Sequence, residues 1–420
     1  MLVPVSRSGA RWANCGSDGW CCADGLAICC LILCVARQVM RKSDFERQQQ
    51  YFGIAYDTDT LLWDKELRDV FLPKTHMYYD WMHCILCSGG LGQYHVNNFC
   101  KAVEKHGLAL RELDVFAATV KMSSSHQKLG NNFFESRVNR DADSPIKAFA
   151  VEVTSAIFIL AEFCDYVLVP GGILPRHSKA MRLLKDIVGI CMTGDKAVGL
   201  AVQLRDKLQE HHIEVNAIYG TRSTKVKTHL CYHVASNLQE VGLNLSCFSC
   251  ERRARLCKQA AQNYTNDKHF SKMMLHRILV MLEASLKEDK CQPEALVGHA
   301  KDAPCLVEYF RHLCGGCSNV RVAREMAFDL GHVSQGDFVF YSRGDGSEAL
   351  GSVYLCVDVP TALPFITAQC FFVLWVHYEI SPGTWAPSDD IEVCPPSRVT
   401  EAAIGWHERE GGVHPLRMLR

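Results

Sequence analysis

The sequence predicts an α/β chain in which a long, mainly helical part is followed by a small C-terminal β domain. From residue 46 to about residue 290, apolar residues recur three and four positions apart, which is the spacing of an amphipathic helix. Beyond about residue 320, short runs rich in β-branched and aromatic residues alternate with glycine and proline, as in antiparallel strands. With 420 residues, 48% of them hydrophobic, the chain can bury a large core in two or three domains.

The helical part carries a well-marked helix start. Ser144 and Pro145 are typical of an N-cap and a first helical turn, and Ile146 and Phe149 open an apolar series at helical spacing. This helix is expected to end near Pro170, where glycines follow the proline. Three further helices are predicted, over 178–190, over 197–211 and beyond residue 267.

The β-rich part is predicted from three strand-like runs, at 338–341, 353–359 and 370–380. The segment 342–347 between the first two has the composition of a turn. The predicted organisation is an ill-defined leader at 1–45, a core at 46–290, a linker at 291–319, the β domain at 320–400 and a tail at 401–420.

The overall charge argues against a strongly basic nucleic-acid binder. The formal net charge is −1 and the sequence pI is about 7.0. Proteins that neutralise many phosphates usually carry a basic excess or a basic face. A neutral total still permits local basic patches, so charge alone neither suggests DNA nor rules it out.

The cysteines and an N-terminal apolar run indicate the cellular localisation of the protein. Most of the 22 cysteines stand inside apolar runs, which is typical of reduced, buried thiols and predicts an intracellular protein. The apolar run at 26–36 is shorter than the roughly 20 residues that cross a bilayer. No membrane partner is therefore expected.

Three local motifs are candidates for chemistry. Asp80 and His83 form an Asp-x-x-His motif, and His229 and His233 form a His-x-x-x-His motif. Histidines at i and i+4 lie on one face of a helix, where they can share a metal ion. Asp80 and His83 would complete four ligands of the kind that zinc accepts. The alternative is that His229 and His233 are ordinary helix histidines, and the sequence leaves both interpretations open.

The third motif places Glu251 after a cysteine-rich run and before a basic segment. In this order, the three motifs resemble the catalytic core of CACTA-type (En/Spm-like) DDE transposases and of proteins derived from such transposons. The resemblance covers about 52–286, and Glu251 follows His233 by 18 positions, as in the related V(D)J recombinase. It implies an RNase H-like fold with a large helical insertion between Asp80 and His229. It also implies a structural zinc site at Asp80, His83, His229 and His233.

The resemblance further implies metal-dependent cleavage and transfer of DNA strands, in which two Mg²⁺ ions bound by carboxylates activate the nucleophile and stabilise the leaving oxygen. Glu251 would be the last catalytic acid and Asp64 the second, with Asp57 and Asp59 as alternatives. The residues before them offer no persuasive strand with a first aspartate. The expectation is therefore a degenerate, inactive transposase-derived protein that binds DNA in the nucleus.

A basic run after Glu251 (Arg252, Arg253, Arg255 and Lys258) is predicted either to face DNA or to form a solvated helix face. The rival hypothesis is a non-catalytic scaffold that binds a partner through aromatic residues of the β domain, among them Trp375 and Tyr378. Cys314 and Cys317 fit either a metal or redox pair or two reduced loop thiols. The sequence leaves open whether the chain forms a homodimer.

Overall fold

A computed structural model gives the fold. It describes residues 43–44, 78–141, 144–220, 225–248, 275–276, 279–280, 295–314, 317, 319–328, 331–360, 369–409 and 412–418. Within these ranges a helical part (78–248) precedes a β part (295–418), which confirms the predicted α/β class.

The helical part is built from helices of 5 to 19 residues. Their bounds are α1 Leu91–Lys105, α2 Leu110–Thr119, α3 Phe133–Arg137, α4 Ala150–Phe163, α5 Pro175–Met192, α6 Ala201–Tyr219 and α7 Val226–Val241. A π-helical turn, Met82–Leu86, precedes α1. A second π-helical turn, Cys164–Leu168, follows α4, and a 3₁₀ turn, Gly194–Leu200, precedes α6. The short strand β1, Lys121–Met122, follows α2.

The central helix α4 begins later than the sequence predicts. Its first residue is Ala150, because the backbone before it is already engaged elsewhere. Ile146 N donates to Gln93 O at 3.2 Å, and Lys147 N donates to Arg137 O at 3.1 Å. The Glu152 carboxylate then accepts a hydrogen bond from Phe149 N at 2.8 Å and closes the first turn. Tertiary contacts thus override the start signal at residues 144 and 145.

Helix α4 forms the middle of the helical core. Ile157, Phe158 and Leu160 are fully buried, and so is nearly every residue from 153 to 163. Such a helix is apolar all round because it has neighbours on every side. Helices α1, α2 and α5 pack on it, and α6 packs between α5 and α7.

The β part has a ten-stranded sheet and a three-stranded sheet. The strands are β2 Ala295–Val297, β3 Lys301–Asp302, β4 Arg321–Ala323, β5 Glu325–Phe328, β6 Gly331–Ser334, β7 Phe338–Ser342, β8 Glu348–Val359, β9 Gln369–Ser381, β10 Thr384–Cys394, β11 Val399–Ala402, β12 Gly405–Arg409 and β13 Gly412–Leu416. The larger sheet runs β1-β12-β13-β10-β9-β8-β4-β3, and β7 pairs with both β8 and β11. Strands β2, β5 and β6 form the smaller sheet, and all pairings are antiparallel.

Alternation along β9 divides its side chains between two cores. Phe372 and Leu374 point into the core that lies between the sheets. Phe371 and Val373, on the opposite face, pack against Phe310 of helix α8, Val307–Cys314. A period of two is expected for a strand that is covered on both faces over part of its length.

Two segments that were predicted to lie outside the domains contain helices and strands. The segment predicted as a linker at 291–319 contains β2, β3 and α8, and apolar residues of α8 cover the large sheet. The segment predicted as a tail at 401–420 continues β11 and forms β12 and β13, an antiparallel hairpin that pairs with β10 and β1. These elements are too short for a sequence period, and pairing with distant strands stabilises them.

The helical and β parts share a packed boundary. Strand β1, which lies within the helical part, pairs with β12. Ile404 and Leu416 are buried in the helical core. The buried Asp337 carboxylate accepts hydrogen bonds from Ser124 Oγ at 2.6 Å and from Ser334 N at 2.8 Å, which ties the two parts together. Among the described residues of 78–248, β1 is the only strand.

Among the described helices, none is by itself long and apolar enough to cross a membrane. Only α5 taken together with the segment from Gly194 to Tyr219 passes on length and composition, and that pair is bent by 119°. Most of the described cysteines are buried.

Candidate metal centre

Three segments that are distant in sequence meet around Asp80. They are the π-helical turn Met82–Leu86 with the residues before it, the helix α7, and the segment 245–248. Trp81 N donates to Leu245 O at 3.3 Å, and the Trp81 ring meets the Phe248 ring edge-on at 5.7 Å. The Asp-x-x-His motif is therefore held by backbone and aromatic contacts on the side of residues 245–248.

The Asp80 carboxylate is the centre of this arrangement. Its Oδ1 accepts hydrogen bonds from Met82 N at 3.2 Å and from Cys247 N at 3.0 Å. Its Oδ2 accepts a hydrogen bond from His83 N at 3.1 Å and contacts His83 Nδ1. Capping the free N–H groups of a helical turn is an ordinary structural role for an aspartate. Asp80 has this role whether or not a metal ion is bound.

Cys247 brings a sulfur ligand to the same place. The ligand atoms of Asp80, His83 and Cys247 all lie within 4.8 Å of one another, and each residue is half-buried. Bond lengths of about 2.0–2.3 Å place the ligand atoms of a tetrahedral zinc site about 3.3–3.8 Å apart. To reach this spacing, the direct contact between Asp80 Oδ2 and His83 Nδ1 would have to open. Among the described residues, no other group of three acidic, histidine or cysteine ligands is so close together.

His229 and His233 form a second pair on α7. Their Nε2 atoms are 3.1 Å apart, and their rings meet edge-on. Burial lowers the pKa of His229, and burial together with the neighbouring His229 lowers the pKa of His233 to about 4. Both imidazoles are therefore neutral at physiological pH, which is the form that binds metal ions.

Direct contacts join the two pairs. The Tyr79 ring stacks on the His233 ring with centroids 4.8 Å apart. Lys227, in the first turn of α7, reaches the turn that follows Asp80, where its Nζ donates to His83 O at 3.0 Å and to Ser88 O at 2.7 Å. Lys227 and His83 are 144 residues apart in sequence, so these contacts are purely tertiary. The two motifs thus pack against each other.

The structure therefore brings all four predicted zinc ligands into one region but clusters only Asp80 and His83 closely, with Cys247 as the third member. The zinc set of Asp80, His83, His229 and His233 stays a prediction. Cys247 was not among the predicted ligands, because the Cys-x-x-Cys motif at 247–250 has an apolar context and no second pair close in sequence. A cysteine just before the predicted catalytic acid was the available signal.

The predicted catalytic residues lie outside the described residues. This holds for Glu251 and Asp64, for the alternatives Asp57 and Asp59, and for the basic run at 252–258. The leader at 1–45, except residues 43–44, and the predicted start of a helix beyond residue 267 are likewise outside them. The two Mg²⁺ ions and the DNA-facing basic segment thus stay predictions.

The remaining candidate residues have ordinary surroundings. Cys317 is buried and its Sγ donates to Val307 O at 3.5 Å, and burial raises the pKa of Cys314. A thiol with a raised pKa is a poor nucleophile and a poor metal ligand at neutral pH. Of the aromatic residues, Tyr341 is buried in the β core, whereas Trp375 and Tyr378 are exposed.

The chemistry available around Asp80 is the binding of one metal ion. Oxygen, nitrogen and sulfur ligands together suit zinc better than Mg²⁺, which prefers oxygen alone. Asp80 and His83 belong both to the predicted set and to the observed cluster. The chain matches no family model, no curated protein and no solved structure, so a functional assignment depends on this geometry.

Proposed function

We propose that the chain is a transposase-derived DNA-binding protein of RNase H-like ancestry, in which a structural zinc ion joins the Asp-x-x-His turn to the rest of the helical part. The observation that carries the proposal is the packing of the Asp80 turn on helix α7, with the Tyr79 ring stacked on His233 at 4.8 Å. These are two of the three motifs on which the resemblance to CACTA-type transposases depends.

Zinc would act here as a cross-link. Asp80 and His83 belong to the first segment, Cys247 to the last, and His229 and His233 to α7. A metal ion bound across such segments contributes its binding free energy to folding. Asp80 and His83 are ligands in either version of the site, and Cys247 or the histidine pair completes the coordination.

The test is the zinc content of the purified protein and of three variants. We expect about one zinc per chain, lost together with thermal stability in His83→Ala. Cys247→Ser and the double variant His229→Ala, His233→Ala identify which residues complete the site. His299→Ala is the matched control, because His299 is exposed and lies in the β part. A wild-type protein without zinc would overturn the metal centre.

DNA binding is tested separately with a short duplex. We expect binding that weakens steeply as the salt concentration rises, because phosphate contacts release counterions. We expect no strand cleavage in Mg²⁺, since the sequence before Asp57 offers no persuasive strand with a first aspartate. Cleavage that Glu251→Gln abolishes would instead show an active enzyme. No binding to duplex DNA at low salt would contradict the DNA-binding proposal.

A second candidate function is favoured by an exposed apolar patch on the large sheet. Trp375 of β9 is 39% exposed, its ring lies 5.8 Å from that of Tyr354, and Ile391 of β10 is its cross-strand partner. Contiguous exposed apolar groups are typical of an interaction surface. This patch would make the chain a scaffold that pairs with a second copy of itself. Self-association in sedimentation, lost in Trp375→Ser while the zinc content stays unchanged, would favour this function.

A further inference from the structure

An open cleft lies on the helical part, away from Asp80. It is formed by the C-terminal half of α1, the start of α5 and the end of α6, and its volume is about 540 Å³. That volume falls in the range of sites that bind small molecules. The walls combine apolar residues, such as Leu174 and Ile218, with Lys101, Lys105 and His106.

The charge of the cleft is positive and uncompensated. Lys101 and Lys105 stand four residues apart on α1, so they lie on one face of the helix. Lys101 Nζ donates to a backbone carbonyl, that of Asp141, and not to a carboxylate. Among the described residues, Lys101, Lys105 and His106 form no ion pair, and no acidic residue lines the cleft.

Two acidic residues on the helices that form the cleft, Glu104 and Glu214, are already paired. Glu104, on the same helix, pairs with Arg140. Glu214, one turn before Ile218 on α6, pairs with Arg176 at 3.0 Å and with Lys179 at 3.0 Å. These pairs leave the two lysines of the cleft free to attract an anion from solvent.

The start of α5 adds a partial positive charge. Leu174, which lines the cleft, adopts a left-handed conformation with φ 48° and directs the chain into this 18-residue helix. His177, in the first turn, lines the cleft as well. The N–H groups of a first turn have no partner within the helix and favour anions.

Tyr219 lies at the inner side of the cleft. It also lines a smaller cavity of about 20 Å³, next to the buried His95 and His211. The Tyr219 hydroxyl is buried and has no hydrogen-bond partner among the described residues. Burial raises the pKa of Tyr219, so the hydroxyl stays protonated and can donate. A buried donor without a partner is uncommon in folded proteins and calls for an explanation.

We propose that this cleft binds a small phosphate-bearing molecule of the size of a mononucleotide. The phosphate lies between Lys101, Lys105 and the first turn of α5, where the charge is uncompensated. The uncharged body of the molecule packs on Leu174, Ile218 and the ring of Tyr219. This site is independent of the metal centre around Asp80.

Calorimetric titration of the full chain tests the proposal with adenosine monophosphate, adenosine and inorganic phosphate as probes. We expect adenosine monophosphate to bind and adenosine, which lacks the phosphate, to bind at least ~10-fold more weakly. The double variant Lys101→Gln, Lys105→Gln should lose at least ~10-fold in affinity for the monophosphate. The matched control Lys128→Gln, Lys196→Gln removes the same charge at exposed positions outside the cleft and should retain the affinity.

Three outcomes would overturn the proposal. The first is no binding of adenosine monophosphate, and the second is equal binding of adenosine. The third is an equal affinity of the two double variants for adenosine monophosphate. Binding would then depend only on the overall charge of the protein. Duplex DNA that competes only in the presence of Lys101 and Lys105 would assign the cleft to a polynucleotide backbone instead. Because zinc content is measured on the same samples, failure of the metal centre is distinguishable from failure of the cleft.

Discussion

The helical and β parts differ in where their buried polar side chains lie. In the helical part, polar groups from distant helices meet inside the core: His95 Nδ1 and His211 Nε2 share a hydrogen bond of 2.7 Å, and both side chains are buried. Between the two sheets of the β part the packed residues are apolar, among them Phe372 and Leu374. The buried His407 and His414 of the β part lie against Tyr166, at the boundary with the helical part. Its long strands β8, β9 and β10 follow one another in sequence and pair as neighbours.

This difference indicates where the chemistry of the molecule lies. A buried polar group costs free energy unless it forms a hydrogen bond. A core with several buried polar groups therefore either pairs each of them or uses them in a function. The candidate metal centre and the phosphate cleft both lie in the helical part. The β part contributes a sheet that α8 partly covers and a surface that packs against the helices. The comparison predicts that the two parts respond differently to pH but unfold together.

The largest expected effect comes from creating a cavity in either core. Phe158 in α4 and Phe372 in β9 are both fully buried, and replacing either with alanine should cost about 3–5 kcal/mol of unfolding free energy. Urea unfolding, with hydrogen exchange followed by mass spectrometry, measures the loss and its location. Since Ile404 and Leu416 of the β part are buried in the helical core, each substitution should raise exchange in both parts.

Val115→Ala is a suitable control, because Val115 is 61% exposed and should change the unfolding free energy little. Faster exchange that stays within the β part in Phe372→Ala would show two independent folding units. The boundary would then be a contact between domains and not part of one cooperative core.

Acid should destabilise the helical part through its buried histidines. Burial lowers the pKa of His95 from 6.5 to about 3 and also lowers that of His211. Between these values the unfolded chain binds a proton that the folded chain does not, so stability falls as the pH drops below 6.5 and is constant above it. For His95 alone, lowering the pH from 7 to 5 should cost about 2 kcal/mol.

Urea unfolding at pH 7 and pH 5 measures this loss. His95→Gln should show a smaller loss than the wild type, whereas the exposed control His299→Gln should not differ from it. His126 and His233, whose pKa values burial also lowers to about 4, add to the loss in all three proteins. An equal loss of unfolding free energy in the wild type and in His95→Gln would show that water reaches the pair of His95 and His211.

Much of the β part could be predicted from sequence, because alternation records which face of a strand is covered. The predicted strands at 338–341 and 370–380 match β7 and β9 within one or two residues. The short strands β12 and β13 were missed, because a hairpin of two five-residue strands shows little alternation and its outer partner, β1, lies far away in sequence. Distance in sequence also limited the prediction of the candidate metal centre. The motif at 80–83 was visible in the sequence, but the approach of Cys247 to it depends on tertiary packing.

The smallest effect concerns the boundary between the two parts. Gly189 of α5 faces the C-terminal segment so closely that an added Cβ would lie 2.1 Å from Met418 O. In an exposed helix, replacing glycine with alanine stabilises by up to about 1 kcal/mol. At this position the backbone carbonyl must move, and overpacking costs about 1–3 kcal/mol, so Gly189→Ala should destabilise by about 1 kcal/mol net. Gly199→Ala is the matched control, since an added Cβ there meets no atom within 4 Å. Thermal melts of the two variants compare them directly, and a Gly189→Ala protein as stable as Gly199→Ala would mean that the C-terminal segment does not pack on α5.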